Sequence, residues 1–515
     1  MACLKPTRWK MGLTRFTLLR LLAALALCMV LPACTPSLYP LKHGITIDGE
    51  GRPLVPTARG FEPDAEFDRH IEEIATAAAG HKRILIFVHG GLNSLNGSAE
   101  RIKDLMDSYF NSHPDDYYPV FINWDSGFFS AYLEHLTRVR RGKIEPIKGP
   151  LTTPYVLLED TGRAVTRAPI AWFHQTETDW KSATFPNQPY TNTCPDDYAS
   201  VLHPEIQSQN ALYCVLSDGA PAPRIRISLG SATGEAWYTP HMIGRFLSYW
   251  LSAPVKYVLV PPIDGYGKPA WDNMLRRTRN MYRTPDEFDL RDRLVAADGE
   301  KVAVEAAARE ALQRGQTGAL ARLLRQLDQR LAGSSSHEII LIGHSMGTLV
   351  INELLRNHPE YPNLRVSEVV YLAAACSIRD FQQSVIPFMQ SERGKETRFY
   401  NLTLHPLNDA REVDWTFLDL IPRGSLLEWI DNFLTDPATP LDRTLGKWEN
   451  IIQATHVIPP LIRPRIALKA FGVGDTGTDG PQRHGEFDDY QPQDGQTWLF
   501  WEPAFREPGV YRWDP

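Results

Sequence analysis

Residues 338–357 read EIILIGHSMGTLVINELLRN and join two kinds of secondary structure with almost no loop between them. The first half is rich in β-branched and aliphatic residues, which is typical of a buried strand, and the second half has the apolar period of a helix. Gly343 and Gly347 frame the turn, and they lack the Cβ atoms that would clash in a strained backbone. The stretch therefore predicts a strand, a sharp turn and a helix, with Ser345 at the apex.

Strand-like runs alternate with helix-like segments on both sides of this turn. Apolar runs occur in RILIFVHGG and YPVFINWDSG before the turn, and in VSEVVYLAAAC, TRFYNLTLHP and RPRIALKAFG after it. Continuous apolar strands that alternate with helices are typical of a parallel sheet covered on both faces. The predicted fold class is therefore α/β, with a mostly parallel sheet and helices on both faces.

The strand, the GHSMG turn and the helix together resemble the nucleophile elbow of the α/β-hydrolase superfamily. GHSMG is a form common among its lipases, esterases and thioesterases, and the resemblance covers residues 80–126 and 335–490. It implies an α/β-hydrolase fold in which Ser345 is the catalytic nucleophile. Because the glycine-rich loop FVHGG follows an early strand, the resemblance also implies that the backbone N–H groups of Gly91 and Met346 form the oxyanion hole.

In that superfamily the catalytic acid and then the base follow the serine along the chain. Asp409, after the strand in TRFYNLTLHP, is the expected acid, and Asp380 is the alternative. His484, in the loop after RPRIALKAFG, is the expected base, and His456 is the alternative. Aspartates also cap helices and turns, so a structural role for either carboxylate stays open.

The resemblance also implies how the chain is divided. Residues 80–126 and 286–515 are expected to form the hydrolase core, residues 127–285 a cap or lid insertion, and residues 34–79 a tether with the first elements. The insertion contains the apolar run MIGRFLSYWLSAPVKYVLVPPI. Two interpretations of this run are open: a cap helix plus a strand lining an acyl pocket, or an ordinary small core. The core interpretation is favoured because apolar periodicity usually reflects packing.

Residues 1–33 have the composition of a signal peptide. Five basic residues and no acidic ones accompany the apolar run LLAALALCMVL, which is short for a membrane span. The sequence LPAC, ending at Cys34, resembles the lipobox of bacterial lipoproteins, which implies that Cys34 is lipid-modified and becomes the mature N-terminus. We therefore expect a lipid-anchored chain in the bacterial cell envelope, at the outer membrane facing the periplasm. An ordinary signal peptide or an uncleaved anchor is the alternative.

The charge, the cysteines and the spacing of possible ligands indicate which partners, disulfides and metal sites to expect. The formal net charge of −7 becomes more negative without the basic leader, which argues against nucleic acid as a partner. In an oxidising compartment Cys194 and Cys214 form a plausible disulfide. No zinc-like spacing occurs, and a calcium-like run around His484 follows a strand rather than a helix, so no metal and no cofactor are expected.

The resemblance to the α/β-hydrolase superfamily therefore implies a serine hydrolase that cleaves carboxylic esters, of lipids or small acyl compounds, through a Ser345–His484–Asp409 triad and an acyl-enzyme. An acyltransferase would use the same triad with an alcohol in place of water. A non-catalytic envelope scaffold with the same fold is the alternative from another class of protein.

Overall fold

The computed structural model describes residues 43–57, 60–184, 198–201, 213–216, 226–229, 238–284, 317–334, 336–412, 422–473, 480–489 and 499–506. The expected acylation site Cys34 lies outside these ranges. Cys194 of the expected disulfide also lies outside them, so neither prediction is tested by the structure.

Fourteen strands are found in the described residues, and ten of them form one sheet. The strands are β1 (Gly44–Ile47), β2 (Pro53–Thr57), β3 (Gly60–Pro63), β4 (Arg83–Val88), β5 (Tyr118–Trp124), β6 (Val139–Arg140), β7 (Lys143–Ile144), β8 (Tyr198–Val201), β9 (Tyr213–Leu216), β10 (Arg226–Leu229), β11 (Glu338–His344), β12 (Val366–Leu372), β13 (Arg398–Thr403) and β14 (Ile466–Ala470).

The α-helices vary widely in length, and two of them are much longer than the rest. They are α1 (Phe67–Ala79), α2 (Leu95–Ser108), α3 (Phe128–Thr137), α4 (Lys148–Thr184), α5 (Tyr238–Asn280), α6 (Ala319–Arg330), α7 (Gly347–Asn357), α8 (Ile378–Gln390), α9 (Pro406–Arg411), α10 (Leu426–Trp429), α11 (Trp448–Gln453) and α12 (Pro503–Arg506). A π-helical turn, Ile430–Leu434, extends α10.

The large sheet has the order β10-β14-β13-β12-β11-β4-β5-β1-β2-β3. The eight strands from β10 to β1 are parallel to one another, whereas β2 is antiparallel to both of its neighbours. The predicted α/β class with a mostly parallel sheet is confirmed. Because all eight parallel strands end at the same edge, the loops that follow them meet there.

The centre of the sheet is buried on both faces. All seven residues of β5 and the last six of β11 are buried, as expected for strands covered by helices on either side. Each fully buried Ile, Leu or Val contributes about 1.5–3 kcal/mol to stability relative to an exposed side chain. This rigid centre fixes the position of the turn that follows β11.

Helices α4 and α5 form an antiparallel hairpin within residues 127–285. Trp172 donates from Nε1 to the carbonyl oxygen of Tyr257, and nearer the other end Arg167 donates to Asp264. The run MIGRFLSYWLSAPVKYVLVPPI lies wholly within α5, so the interpretation as a cap helix plus a strand is wrong. The favoured interpretation, an ordinary small core, holds only in part, because Leu247, Trp250, Leu251 and Val258 are exposed. The Val, Tyr and Phe residues of the run have strand propensity, but packing along α4 overrides that weak local preference.

The same insertion also contributes to the main sheet. Strand β10 pairs in parallel with β14, with Arg226 opposite Ala467 and Leu229 opposite Ala470. The expected cap therefore supplies an edge strand of the core rather than forming a separate layer. None of the described helices is both long enough and apolar enough to cross a bilayer.

Candidate active site

Ser345 occupies the turn between β11 and α7 in a strained backbone conformation. Its φ is +50°, in the left-handed region that costs a residue with a side chain about 1–2 kcal/mol. A Cβ on Gly347 would overlap the carbonyl oxygen of Val88, and one on Gly343 would lie 2.9 Å from the amide nitrogen of Thr348. Both glycines are therefore required by the close packing of this turn against β4 and α7.

The neighbouring strand β12 holds this turn in place through backbone hydrogen bonds. The Ser345 N–H donates to the Leu372 carbonyl at 2.8 Å, and the Ser345 carbonyl accepts from Ala375 at 3.1 Å. In contrast, Oγ of Ser345 is buried and has no hydrogen-bond partner within the described part of the chain. A buried hydroxyl without a partner is unusual, because buried polar groups are normally hydrogen-bonded.

The loop after β4 lies directly against the turn. A Cβ on Gly90 would be 2.9 Å from Cβ of Ser345, and one on Gly91 would be 2.6 Å from Sδ of Met346. In the described residues, neither the N–H of Gly91 nor that of Met346 donates to a protein acceptor. Two unengaged N–H groups beside a buried serine are the donors that an oxyanion hole requires.

His89 supports this loop and is not placed as a base. Its Nδ1 lies 2.7 Å from the carbonyl oxygen of Gly90 and must donate to it, because a carbonyl only accepts. Its Nε2 then accepts from the N–H of Trp124 at 3.2 Å. Burial lowers the pKa of His89 to about 4. Both nitrogens of the neutral ring are thus engaged in hydrogen bonds that hold the loop.

His484 lies in a short 3₁₀ turn after β14, beside the residue that precedes Ser345. Its ring centroid is 5.2 Å from that of His344, and its carbonyl oxygen lies 2.9 Å from Nε2 of His344. Both ring nitrogens of His484 are buried, and neither has a hydrogen-bond partner in the described structure. Burial, and then the charge of His344, lower the pKa of His484 to about 3, so its ring is neutral.

Asp409 lies in α9, after β13, and makes no hydrogen bond to the ring of His484. With Lys181, Glu428 and Lys447 it lines a small pocket beneath the helical hairpin. Burial raises the pKa of Asp409 well above its usual value, against the opposing charge of Lys447. Its Oδ1 has no partner among the described residues.

A hydrogen bond still ties this segment to the predicted base. Nδ2 of Asn408, the residue before Asp409, donates to Oε1 of Gln482 at 2.9 Å, two residues before His484. The structure therefore brings the two segments together without joining the two side chains.

The alternative acid and base lie elsewhere. Asp380, near the start of α8, accepts hydrogen bonds from Asn352 and Arg356 of α7, which is a structural role. His456 lies exposed in a 3₁₀ turn, and its backbone precedes β14. The structure brings neither of them to Ser345.

Asp488 is a buried carboxylate at the site that the sequence analysis did not single out. Its Oδ1 accepts from Nη1 of Arg101 at 2.8 Å, and its Oδ2 lies 3.2 Å from Nδ1 of His344. Burial alone would raise the pKa of Asp488, but the charges of His344 and Arg101 hold it below its usual range. Because Arg101 is 387 residues away in sequence, no local pattern could have indicated the pair.

Asp488 also acts on the predicted base. Its negative charge favours the protonated form of His484, whereas the charge of His344 opposes it. His344 faces a carboxylate with one ring nitrogen and a carbonyl with the other, so it can donate to both only when its ring carries two protons. Arg101, Asp488 and His344 thus form a row of polar side chains next to Ser345.

Within the described residues no group of three or more His, Cys, Asp or Glu is placed to hold a metal ion. Comparison with known proteins gave no match to a family model, to a curated protein or to a solved structure.

Proposed function

We propose that the protein is a serine hydrolase with an α/β-hydrolase fold that cleaves carboxylic esters through an acyl-enzyme. One observation carries the proposal: Ser345 has a left-handed backbone and a buried, partnerless Oγ beside the unengaged N–H groups of Gly91 and Met346. A structural turn would have no need of this combination, because strain is normally kept only where function requires it.

The order of the strands supports the proposed fold. Strands β4 and β11 are neighbours, so the loop with Gly91 and the turn with Ser345 emerge side by side. Strands β13 and β14 are also neighbours and bring the segments with Asp409 and His484 to the same edge of the sheet. In open parallel sheets this edge is where substrates bind.

In the proposed reaction, Oγ of Ser345 attacks the ester carbonyl while His484 takes its proton. The oxyanion of the tetrahedral intermediate accepts hydrogen bonds from Gly91 and Met346, and each such donor contributes roughly a hundred- to a thousandfold in rate. His484 then gives the proton to the departing alcohol. Water repeats the sequence on the acyl-enzyme, which releases the acid and restores Ser345.

Two carboxylates are candidates for stabilising the imidazolium of His484. Chain order favours Asp409, and the small pocket around it leaves its Oδ1 free to take a new partner. The charge that already acts on His484 is that of Asp488. We propose that Asp488 supplies the electrostatic stabilisation, since the raised pKa of Asp409 favours its neutral form.

Helix α5 of the hairpin lies over the oxyanion loop. Cε of Met274 is 3.1 Å from the place that a Cβ on Gly91 would occupy, and both Met274 and Met346 are buried. Methionines give a flexible apolar lining. This lining supports an ester whose acyl part is apolar.

The proposal is tested by labelling the full chain with a fluorophosphonate probe. We expect covalent labelling that is lost in Ser345→Ala and retained in Ser384→Ala, a control serine that is also buried but bonded to Asn352. If the folded wild-type chain stays unlabelled both in detergent and in lipid micelles, the protein is a scaffold and the catalytic proposal fails.

A further inference from the structure

The outer side of helix α4 carries a long row of exposed apolar side chains. Most of these residues are three, four or seven positions apart, which places them on one side of a helix. Their relative exposure ranges from 41% to 75%. The members are Leu151, Tyr155, Leu158, Val165, Trp172, Phe173 and Trp180.

Helix α5 continues this surface at the same end of the hairpin. Trp172 of α4 contacts Tyr257 of α5, which directly precedes Val258 and Leu259, so the two rows meet at this point. The exposed apolar residues of α5 are Leu247, Trp250, Leu251, Val255, Val258 and Leu259. We call the two rows together the apolar hairpin surface.

Few exposed charges lie near this surface. Between Leu247 and Leu259 the one charged residue is Lys256, which is fully buried and bonded to Asp179 at 3.1 Å. On α4 the exposed Glu159 and Glu177 border the row, four residues after Tyr155 and Phe173, and the positions between its members on the outer side are Pro, Gly and Thr. The chain as a whole is 22% charged, so such a low density of exposed charge is unusual for a water-facing helix.

The polar groups on the surface are already satisfied within the hairpin. Thr166 donates to the carbonyl of Gly162, and Thr176 donates to the carbonyl of Trp172. Nε1 of Trp172 donates to the Tyr257 carbonyl at 2.7 Å. In a hydrocarbon environment each unsatisfied polar group costs several kcal/mol, so this arrangement suits contact with lipid.

The surface is also larger than solubility normally allows. Thirteen large side chains, each at least 40% exposed, present on the order of 1,000 Å² of apolar area. The largest patch on a typical monomer is about 300–600 Å². A surface of this size requires something to cover it.

We propose that the apolar hairpin surface docks on a lipid bilayer, with its Trp, Phe and Leu side chains inserted at the interface. The expected acylated Cys34 lies nine residues before His43, so an extended tether would reach about 30 Å. The body would then stay within a few nanometres of the bilayer. Tryptophan is enriched at this depth because its ring is apolar and its N–H is polar. The inference does not depend on catalysis by Ser345.

The chemistry also indicates the kind of lipid. The protein is acidic, and the surface carries no cation that would select anionic headgroups. Docking would therefore rest on apolar insertion alone. Neutral phosphatidylcholine should be bound as well as anionic lipid, and salt should change binding by less than about twofold.

The test uses the full chain on phosphatidylcholine vesicles that contain a photoactivatable acyl chain. We expect crosslinks in residues 151–180 and 247–259, and none at Leu461, which is 76% exposed but lies outside the surface. Leu158→Asp combined with Phe173→Asp should lower crosslinking of the hairpin about tenfold, because charges resist burial in lipid. Leu461→Asp is the matched control and should leave it unchanged.

Two outcomes would overturn the proposal. Crosslinking of the hairpin no stronger than at Leu461 would mean that lipid does not cover the surface. Sedimentation without vesicles could instead show a dimer that Phe173→Asp dissociates. In that case a second copy of the chain is the occupant.

Discussion

At the scale of single residues, the candidate site depends on glycines, because a larger side chain would not fit at these positions. Gly343 and Gly347 allow the turn at Ser345, and Gly90 allows the loop after β4 to lie against it. These positions were visible in the sequence as glycine-framed motifs. Their reason, the close approach of strand β4 to the turn, needs the folded structure.

Adding one methyl group at Gly90 tests whether this approach matters for reactivity. In Gly90→Ala the new Cβ would lie 2.9 Å from Cβ of Ser345 and 3.1 Å from Nδ1 of His344, so the loop has to shift. We expect the rate of fluorophosphonate labelling to fall about tenfold or more, since oxyanion donors act only when correctly placed.

The matched control is Gly162→Ala in helix α4, where nothing lies within 4 Å of the added Cβ. It should label at the wild-type rate and be slightly more stable, because alanine favours a helix over glycine by about 1 kcal/mol. Equal labelling rates for the Gly90 and Gly162 variants would remove the loop from the proposed site.

Exchanging each carboxylate for its amide distinguishes the two candidate acids. Asp488→Asn should slow labelling about a hundredfold and cost about 3 kcal/mol of stability, because Arg101 and His344 would lose a buried counter-charge. Asp409→Asn should slow labelling less than about threefold, since its raised pKa already favours the neutral form.

The labelling rate and the free energy of unfolding, from denaturant titration, are measured for both variants. Asp380→Asn serves as the control for a structural carboxylate. The reverse result, a large loss for Asp409→Asn with little change for Asp488→Asn, would assign the acid by chain order.

At the scale of elements, the helical hairpin departs most from what its sequence predicts. The segment has proline within both long helices and a β-branched run in α5, features that normally end helices or favour strands. Contacts between α4 and α5 override these local preferences. In contrast, the stretch on both sides of GHSMG was predictable, because its strand, turn and helix are contiguous in sequence.

A buried ion pair at the hairpin provides the test at this scale. Lys256 and Asp179 are both fully buried and are joined at 3.1 Å, with Arg423 at 3.6 Å from the same carboxylate. Lys256→Met should lower the free energy of unfolding by about 3 kcal/mol, because it leaves Asp179 with less compensation.

The double variant Lys256→Met, Asp179→Leu should regain more than half of that loss if the two charges act as a pair. Urea denaturation of the single and double variants gives the coupling energy. Additive losses would show that each residue stabilises the hairpin separately.

At the scale of the whole molecule, the parts that could be predicted are those with local signals. The parallel sheet, the loop with Gly91 and the turn with Ser345 all follow from contiguous runs. The contact of Asp488 with Arg101 and the pairing of β10 with β14 join residues hundreds of positions apart. A single sequence carries no pattern that reports such distant contacts.

The pairing of β10 with β14 also sets the order in which the chain can fold. Strand β10 ends at residue 229, but β14, the strand with which it pairs in the described part of the main sheet, spans residues 466–470. During synthesis β10 therefore remains without this partner while more than two hundred further residues are made. Unpaired strand edges promote aggregation, so we expect the nascent chain to be most prone to aggregate before β14 is made.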